Sequence, residues 1–504
     1  MDVQRIGNQI PGACSPTRKK TMNKFYLRLS WLAVWLLPLL LMTTSVCAQT
    51  PGEKPETPIQ VGGALPQIAV VAGHDNRSEA GIGALLPWAD RLWFVAYVAH
   101  IRGEGTGLYW LDEKMQMHKH PASVVGTFTN RYIHNPSDQA FLGPHVIDTK
   151  GNVRTIEALK GYRLTSTMTH LTDPNNKVYL LGMEGEFFEV DVKTLAAKQL
   201  FNLVKELDIK GRVHFKSAFS ANGRVVVANN SYYEADYLGQ EASGRLAEWD
   251  GRTWTILERK PFVEVSGKHW SAETYGNPIF ATGWDQASAI LKVFAKGKWL
   301  TYRLPKGAQT FDHAWNTEWM RIRDAQTERF LMDLHGIFYE LPAQLYDGRI
   351  LPIRPISNHL RIVPDFCYWR GLFVLGGDQT DRSFGQPQTG LWFGQIDDLW
   401  RMGKPAGWGS VWHKQNLKAN EVSDPFLMTG FDQKVVHLKH NANAAVTFTI
   451  EVDFLGDGSW TTYEAVTVPA HGYKHLEFPA GFSAHWVRVT TSKACQATAT
   501  FIYS

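Results

Sequence analysis

Imidazole, guanidinium and phenol groups gather in a few short stretches of this chain. Gly73-His74-Asp75-Asn76-Arg77 sets a histidine, an acid and an arginine in one glycine-preceded polar turn. Such a turn serves no core, and loop residues of these types suit proton transfer and anion binding, with His74 and Arg77 as the candidates. The plain alternative is an Asx-type turn closed by a surface ion pair. Arg131 offers a planar fork that matches a carboxylate. His134 follows three residues later, and His145 lies in Gly143-Pro144-His145. Tyr275 can exchange a proton if a neighbouring cation lowers its pKa; a strand tyrosine otherwise packs. His214, His269, His313 and His359 recur in four successive repeats, 10 to 16 residues before the second strand of each. That register sets them at the start of innermost strands, near one rim. Four imidazoles around one opening can bind an acidic group, hold a divalent metal or move protons. Repeated residues also arise where each copy only hydrogen-bonds its neighbour.

The elements that must position these groups are strands. From Leu85 to Trp412 the chain shows strand after strand and almost no helical period. The clearest unit begins at His214, turns at Asn222-Gly223, continues through Arg224-Val225-Val226-Val227-Ala228 and Gly244–Trp249, turns again at Asp250-Gly251 and ends in Thr253–Leu257. Asn-Gly and Asp-Gly are the strongest hairpin signals, so this unit has four antiparallel strands. Seven such units fill the stretch at about 47 residues each. A four-stranded sheet repeated at that period predicts a seven-bladed β-propeller. One sheet cannot bury both faces alone, whereas seven arranged radially bury each face against a neighbour. A parallel β-helix has shorter coils and lacks the alternating hairpin turns. Residues 421–504 differ. Strands such as Val446–Val452 and Thr461–Val468 alternate apolar with polar, which predicts a small C-terminal β-sandwich, either packing on the propeller or binding glycan. The expected organisation is an all-β chain with a propeller over 65–415 and the sandwich over 421–504.

The N-terminus reads as an address. Lys24 and Arg28 precede the apolar run Trp31–Met42, and Val46-Cys47-Ala48 ends in a small residue. This predicts a secretory signal over 1–48, with Met22 as an alternative start, and a flexible Pro/Gly/Glu leader over 49–64. The apolar run is short for a membrane span of about 20 residues, so no stable membrane insertion is expected after cleavage. The expected location is secreted or periplasmic. The formal charge of +4 comes from this segment, which holds six bases and one acid; the rest has 46 bases and 47 acids. Nothing in that balance calls for nucleic acid. Of four cysteines, Cys367 and Cys495 lie beyond the signal. They either pair in an oxidising compartment or leave Cys367 as a buried thiol in its apolar strand.

Several chemistries have no motif here. There is no Gly-x-Ser-x-Gly elbow, Walker loop, HExxH or dinucleotide fingerprint. Asp397-Asp398 are adjacent in sequence, and neighbouring strand residues face opposite ways, so spacing alone makes no glycosidase pair of them. No cofactor is expected, with a divalent metal as the one open option.

Gly73-His74-Asp75-Asn76-Arg77, then Leu86-Pro87-Trp88-Ala89-Asp90-Arg91-Leu92-Trp93, then Gly143-Pro144-His145-Val146-Ile147-Asp148 resemble seven-bladed propeller enzymes acting on rhamnose–glucuronate linkages. Gly390-Leu391-Trp392-Phe393-Gly394, Asp397-Asp398-Leu399-Trp400 and Gly403-Lys404-Pro405 look like the same group. It includes the α-L-rhamnosidases of glycoside hydrolase family 145 and, more distantly, propeller ulvan lyases. The resemblance spans roughly 65–415. It implies a secreted enzyme cutting an acidic polysaccharide, with His74 as the matching catalytic histidine if a hydrolase. If a lyase, it implies His134 and Tyr275 in β-elimination, with Arg131 and His145 around the uronate. A non-catalytic glycan-binding propeller is the further alternative.

Overall fold

The structure, a computed structural model, describes residues 79–98, 107–124, 126–211, 213–231, 244–267, 278–307, 319–325, 330–342, 353–380 and 390–504. The signal, the leader and the candidates His74, Arg77, His269, Tyr275 and His313 lie outside these residues.

Seven sheets follow one another along the chain and form the blades of an all-β propeller. Their innermost strands are Glu79–Trp88, Arg131–His134, Leu164–Thr169, Phe215–Ala221, Phe262–Ser266, Arg321–Asp324 and Phe366–Trp369. Each touches the innermost strand of the next blade, and the seventh touches the first, so the ring is closed. Blade 7 has three strands among the described residues, and the segment leaving it, Asp378–Thr380, pairs with Glu79–Gly81 of blade 1. The strongest hairpin signal behaves as its chemistry requires. Asn222 and Gly223 both have positive φ, 54° and 69°, the primed turn that fits the twist between Phe215–Ala221 and Arg224–Asn229.

Radial burial explains the composition of the blades. Ile279–Trp284 and Ala289–Ala295 in blade 5 are buried at every position, because neighbouring blades cover both faces. The outer strand Lys298–Leu304 is exposed at its start and only partly covered through its middle.

A second device stitches the blades around the axis. The Ser166 hydroxyl of blade 3 accepts from Ala218 N of blade 4 at 2.7 Å. Ser217 of blade 4 accepts from Val265 N of blade 5 at 3.1 Å. Glu264 of blade 5 accepts from Ile322 N of blade 6 at 3.4 Å, and Asp365, one residue before blade 7's first strand, accepts from Leu85 N of blade 1 at 2.7 Å. Each bond satisfies an innermost-strand amide on the side that no sheet covers. Two joints use a hydroxyl and two a carboxylate, and only the carboxylates bring charge to the axis.

The C-terminal strands form a sandwich. One sheet orders Gly407–Leu417, Cys495–Tyr503, Lys434–His440 and Tyr473–Glu477. The other orders Phe426–Leu427, Trp486–Thr491, Val446–Asp453 and Thr461–Val468. Buried and outward positions alternate along Lys434–His440 and Val446–Asp453, the period of a half-buried strand. The second sheet continues that of blade 5 through a parallel pairing of Arg303 with Phe426. Arg303 also clamps the junction. Its two terminal nitrogens donate to Asp285 at 3.0 Å each, and its Nε to Asp424 at 3.1 Å. Cys367 and Cys495 are unpaired thiols, and burial raises the pKa of Cys367 well above its ordinary value. No helix among the described residues is long and apolar enough to cross a membrane.

Candidate functional site

In a propeller, a charged residue on an innermost strand has two destinations: the packed space between blades or the axis. Blades 5 and 6 place Glu264, Arg321 and Arg323 there, blade 2 places Arg131, and blade 4 places Lys216. Arg321 and Arg323 are two apart on one strand and therefore share a face. All five line one axial cavity of about 110 Å³, together with Asp324 and the hydroxyl residues Thr129, Thr165, Ser166, Thr167 and Ser217. That volume holds several water molecules. Hydroxyls line it from blades 2 to 5, Ser266 included, and the anions come from blades 5 and 6.

The charged wall is a chain of alternating sign. Arg131 Nε lies 3.6 Å from Asp365 Oδ2. Asp365 Oδ1 accepts from Arg323 Nε at 2.6 Å, Arg323 Nη1 pairs with Glu264 Oε1, and Glu264 Oε2 lies 3.4 Å from Arg321 Nη1. Asp365 is fully buried and Glu264 is 3% exposed at its side chain. Burial alone would raise the pKa of Asp365, but Arg131, Arg323 and the Leu85 amide outweigh it and hold the carboxyl below its usual range.

The arginines are not equally compensated. Arg323 is gripped by two carboxylates, and its pKa is raised in spite of burial. Arg131 and Arg321 lean instead on carbonyls. Arg131 Nη1 donates to Leu85 O at 2.6 Å; Arg321 donates to Pro364 O at 2.6 Å and Met320 O at 2.7 Å. Burial dominates for both and lowers their pKa values, with Asp365 or Glu264 offsetting only part of it. Both remain cationic, since an arginine is effectively always protonated. Two buried guanidinium charges with weak compensation therefore flank the cavity. The Trp319 ring supports this side, with Arg321 5.0 Å and Lys216 4.7 Å from its centroid. The arrangement can receive an anion: a carboxylate or similar group there would supply the charge that carbonyl dipoles do not.

Of the described sequence candidates, Arg131 alone lines the cavity. His134 ends its strand, fully buried, with Nδ1 2.6 Å from Ser137 Oγ and Nε2 2.7 Å from Pro174 O. His145, also fully buried, contacts Thr155 Oγ1 at 3.2 Å and accepts from Val124 N at 3.4 Å. Burial, then the nearby His120 and Lys160, lower its pKa to about 3, so it is neutral at pH 7. His214 immediately precedes blade 4, where its amide donates to Asn229 Oδ1 at 2.9 Å. His359 pairs with Asp333 at 3.0 Å and lies against the Phe338 ring, on the outer part of blade 6.

Lys216, Glu264, Arg321, Arg323 and Asp365 were not candidates from the sequence. Their signal was there: Phe262-Val263-Glu264-Val265 sets a charge inside an apolar stretch, and Arg321-Ile322-Arg323 sets two on one face of a strand. On these innermost strands the charge faces the axis.

Neither a protein-family model nor a curated protein matches this chain. Among solved structures it is similar to a glycoside hydrolase family 43 arabinoxylan arabinofuranohydrolase from Bacillus subtilis, at 8% identity and TM-score 0.28, covering 87% of this chain and 99% of that one. It is also similar to U3-55K, at 10% identity and TM-score 0.37, covering 64% and 97%. The β-propeller domain of Myceliophteria thermophila Cps50 (Swd1) is a third, at 12% identity and TM-score 0.35, covering 64% and 96%. Likenesses of this degree carry nothing about chemistry. The seven closed blades define the class of protein, a β-propeller.

Proposed function

We propose that this protein is an exported carbohydrate-active propeller whose axial cavity grips the carboxylate of an acidic polysaccharide and which cleaves rhamnose–glucuronate linkages, in the manner of an α-L-rhamnosidase. The observation that carries the reading is the pair of weakly compensated, buried guanidinium groups, Arg131 and Arg321, beside a hydroxyl-lined cavity. Buried charge that its carboxylate partners offset only in part is costly, and such groups mark functional sites. The hydroxyls suit the sugar's own hydroxyl groups. No metal or cofactor is invoked. His74, the catalytic histidine that the family resemblance implies, lies outside the described residues.

One observation favours a second reading. Glu264 and Asp365 are each engaged by two arginines, so neither is placed to give up a proton as a glycosidase acid. An arginine-rich pocket suits β-elimination instead. A base removes the proton beside the uronate carboxylate, the arginines bear the growing charge, and the oxygen at C4 leaves as a C4–C5 double bond forms.

The test is incubation with gum arabic or an arabinogalactan, and separately with ulvan. The hydrolase reading expects free rhamnose, lost in His74→Ala. The lyase reading expects new short-wavelength ultraviolet absorbance from an unsaturated uronate. Folded protein that yields neither product, yet binds the polymer through Arg131, is a binding propeller; protein that neither binds nor cleaves any acidic glycan overturns the proposal.

A further inference from the structure

The C-terminal sandwich carries a histidine pair that the channel does not involve. His437 and His475 are register partners on the adjacent strands Lys434–His440 and Tyr473–Glu477. Both project from the face away from the sandwich core, since the alternate residues Val436 and Leu438 are fully buried. Their rings lie 6.2 Å apart between centroids. Tyr473, two residues before His475, sets its hydroxyl 2.8 Å from His437 Nδ1. With Nδ1–H donating to that oxygen, the free lone pair of His437 is on Nε2. A hydrogen bond on one ring nitrogen that fixes the tautomer and frees the other is the usual outer support of a metal-bound histidine. Glu477 lies on the same face, its carboxylate 3.8 Å from His475 Nε2.

We propose that His437 and His475 form a two-point chelate for a late divalent transition ion, Cu²⁺ ahead of Zn²⁺, with water completing the coordination. Among the described residues no three His, Cys, Asp or Glu side chains are grouped to hold a metal, so the chelate is open to solvent rather than a closed structural site. The distance allows it. A metal bonded at about 2.0–2.1 Å to each Nε2 sits about 3.2 Å from each ring centroid, which sets the centroids about 5–6.5 Å apart as the N–metal–N angle widens. The observed spacing is at the wide end, and the His475 side chain, 52% exposed, is unconfined enough to close it. Imidazole nitrogen suits Cu²⁺ and Zn²⁺, and copper binds such sites more tightly. The inference is independent of the axial cavity.

The experiment is calorimetric titration of the whole protein with CuCl₂, ZnCl₂ and MgCl₂, with electron paramagnetic resonance of the copper form. Expected are saturable Cu²⁺ binding with Kd below about 100 µM, weaker Zn²⁺ binding, no Mg²⁺ binding, and a copper signal coupled to two nitrogens. His437→Ala and His475→Ala should each weaken Cu²⁺ binding at least about tenfold, while His471→Ala, an exposed histidine elsewhere on the sandwich, should not. Unchanged melting of the metal-free variants shows that both remain folded. Unchanged copper affinity in either pair variant, or no saturable binding below about 1 mM, overturns the proposal.

Discussion

Two regions of this molecule bury arginines against carboxylates, and they do so to different ends. At the junction of propeller and sandwich, every nitrogen of Arg303 meets a charged or hydroxyl partner: Asp285 twice, Ser288 at 2.8 Å and Asp424. Its pKa is raised although it is buried, because the carboxylates outweigh the loss of water. Lys260 adds a second cation to Asp285 at 2.8 Å. On the propeller axis, Arg323 resembles Arg303, but Arg131 and Arg321 do not. Their closest acceptors are backbone carbonyls, and their pKa values fall. The junction uses charge to fix geometry; the axis keeps charge in reserve beside a cavity. Matched pairs hold a fold together, whereas under-matched ones stay only where something else gains from them.

The largest expected effect tests the matched pairs. Asp285→Ala leaves Arg303 and Lys260 without their shared anion and should cost about 3–5 kcal/mol in denaturant unfolding. Asp365→Ala strips Arg131 and Arg323 and should cost a similar amount. A loss under about 1 kcal/mol in either would show that the pairs are not structural.

The contrast is sharpest in arginine replacements. Arg303→Met should destabilise by about 3–5 kcal/mol, because it abandons Asp285 in the interior. Arg321→Met should change stability by less than about 1.5 kcal/mol, since Glu264 keeps Arg323, yet weaken acidic-glycan binding at least about tenfold. Equal destabilisation by the two substitutions would erase the distinction.

Acid should weaken both regions together. Asp285 and Asp365 have depressed folded pKa values, so each contributes stability that is full above the unfolded value near 3.9 and fades as pH falls toward the folded one. His145 works in a higher window. Its pKa of about 3, against about 6.5 unfolded, means that stability is lost as pH falls from about 6.5, by roughly 2 kcal/mol at pH 5. His145→Asn should flatten that part of a pH–stability curve and leave the steep limb below pH 4.

The smallest effect is expected at the rim of the junction. Asp424 is 41% exposed at its side chain, so solvent screens its pairing with Arg303, and Asp424→Asn should cost at most about 1 kcal/mol. A larger loss would place it with Asp285.

The blades were legible because hairpin chemistry and burial act over a few residues. Asn222-Gly223 and the apolar run Arg224–Ala228 sit where their residue types predict. The alternation in Val446–Asp453 announced a half-buried strand for the same reason. Strand Gly407–Leu417 falls largely inside the 65–415 span expected for the propeller, yet it belongs to the sandwich, because its partner is the distant Cys495–Tyr503. The site was less legible still. Histidine attracts attention as a residue type, but His134 and His359 are occupied by Ser137, Pro174 and Asp333. The residues that line the cavity carry no motif. Glu264 and Ser217 do the same task, accepting an amide from the next blade, and differ only in the charge they bring to the axis.

By itself the amino-acid order determined the strands, their turns and the period that makes seven radial sheets, because these depend on local conformational preference and on which faces must leave water. Ring closure decided the rest. It brought Asp365 against Leu85 across 280 residues and joined blade 2's Arg131 to blade 6's Arg323 through Asp365. Whether a buried arginine meets a carboxylate or only a carbonyl depends on angles and distances between distant segments, and no local pattern encodes them.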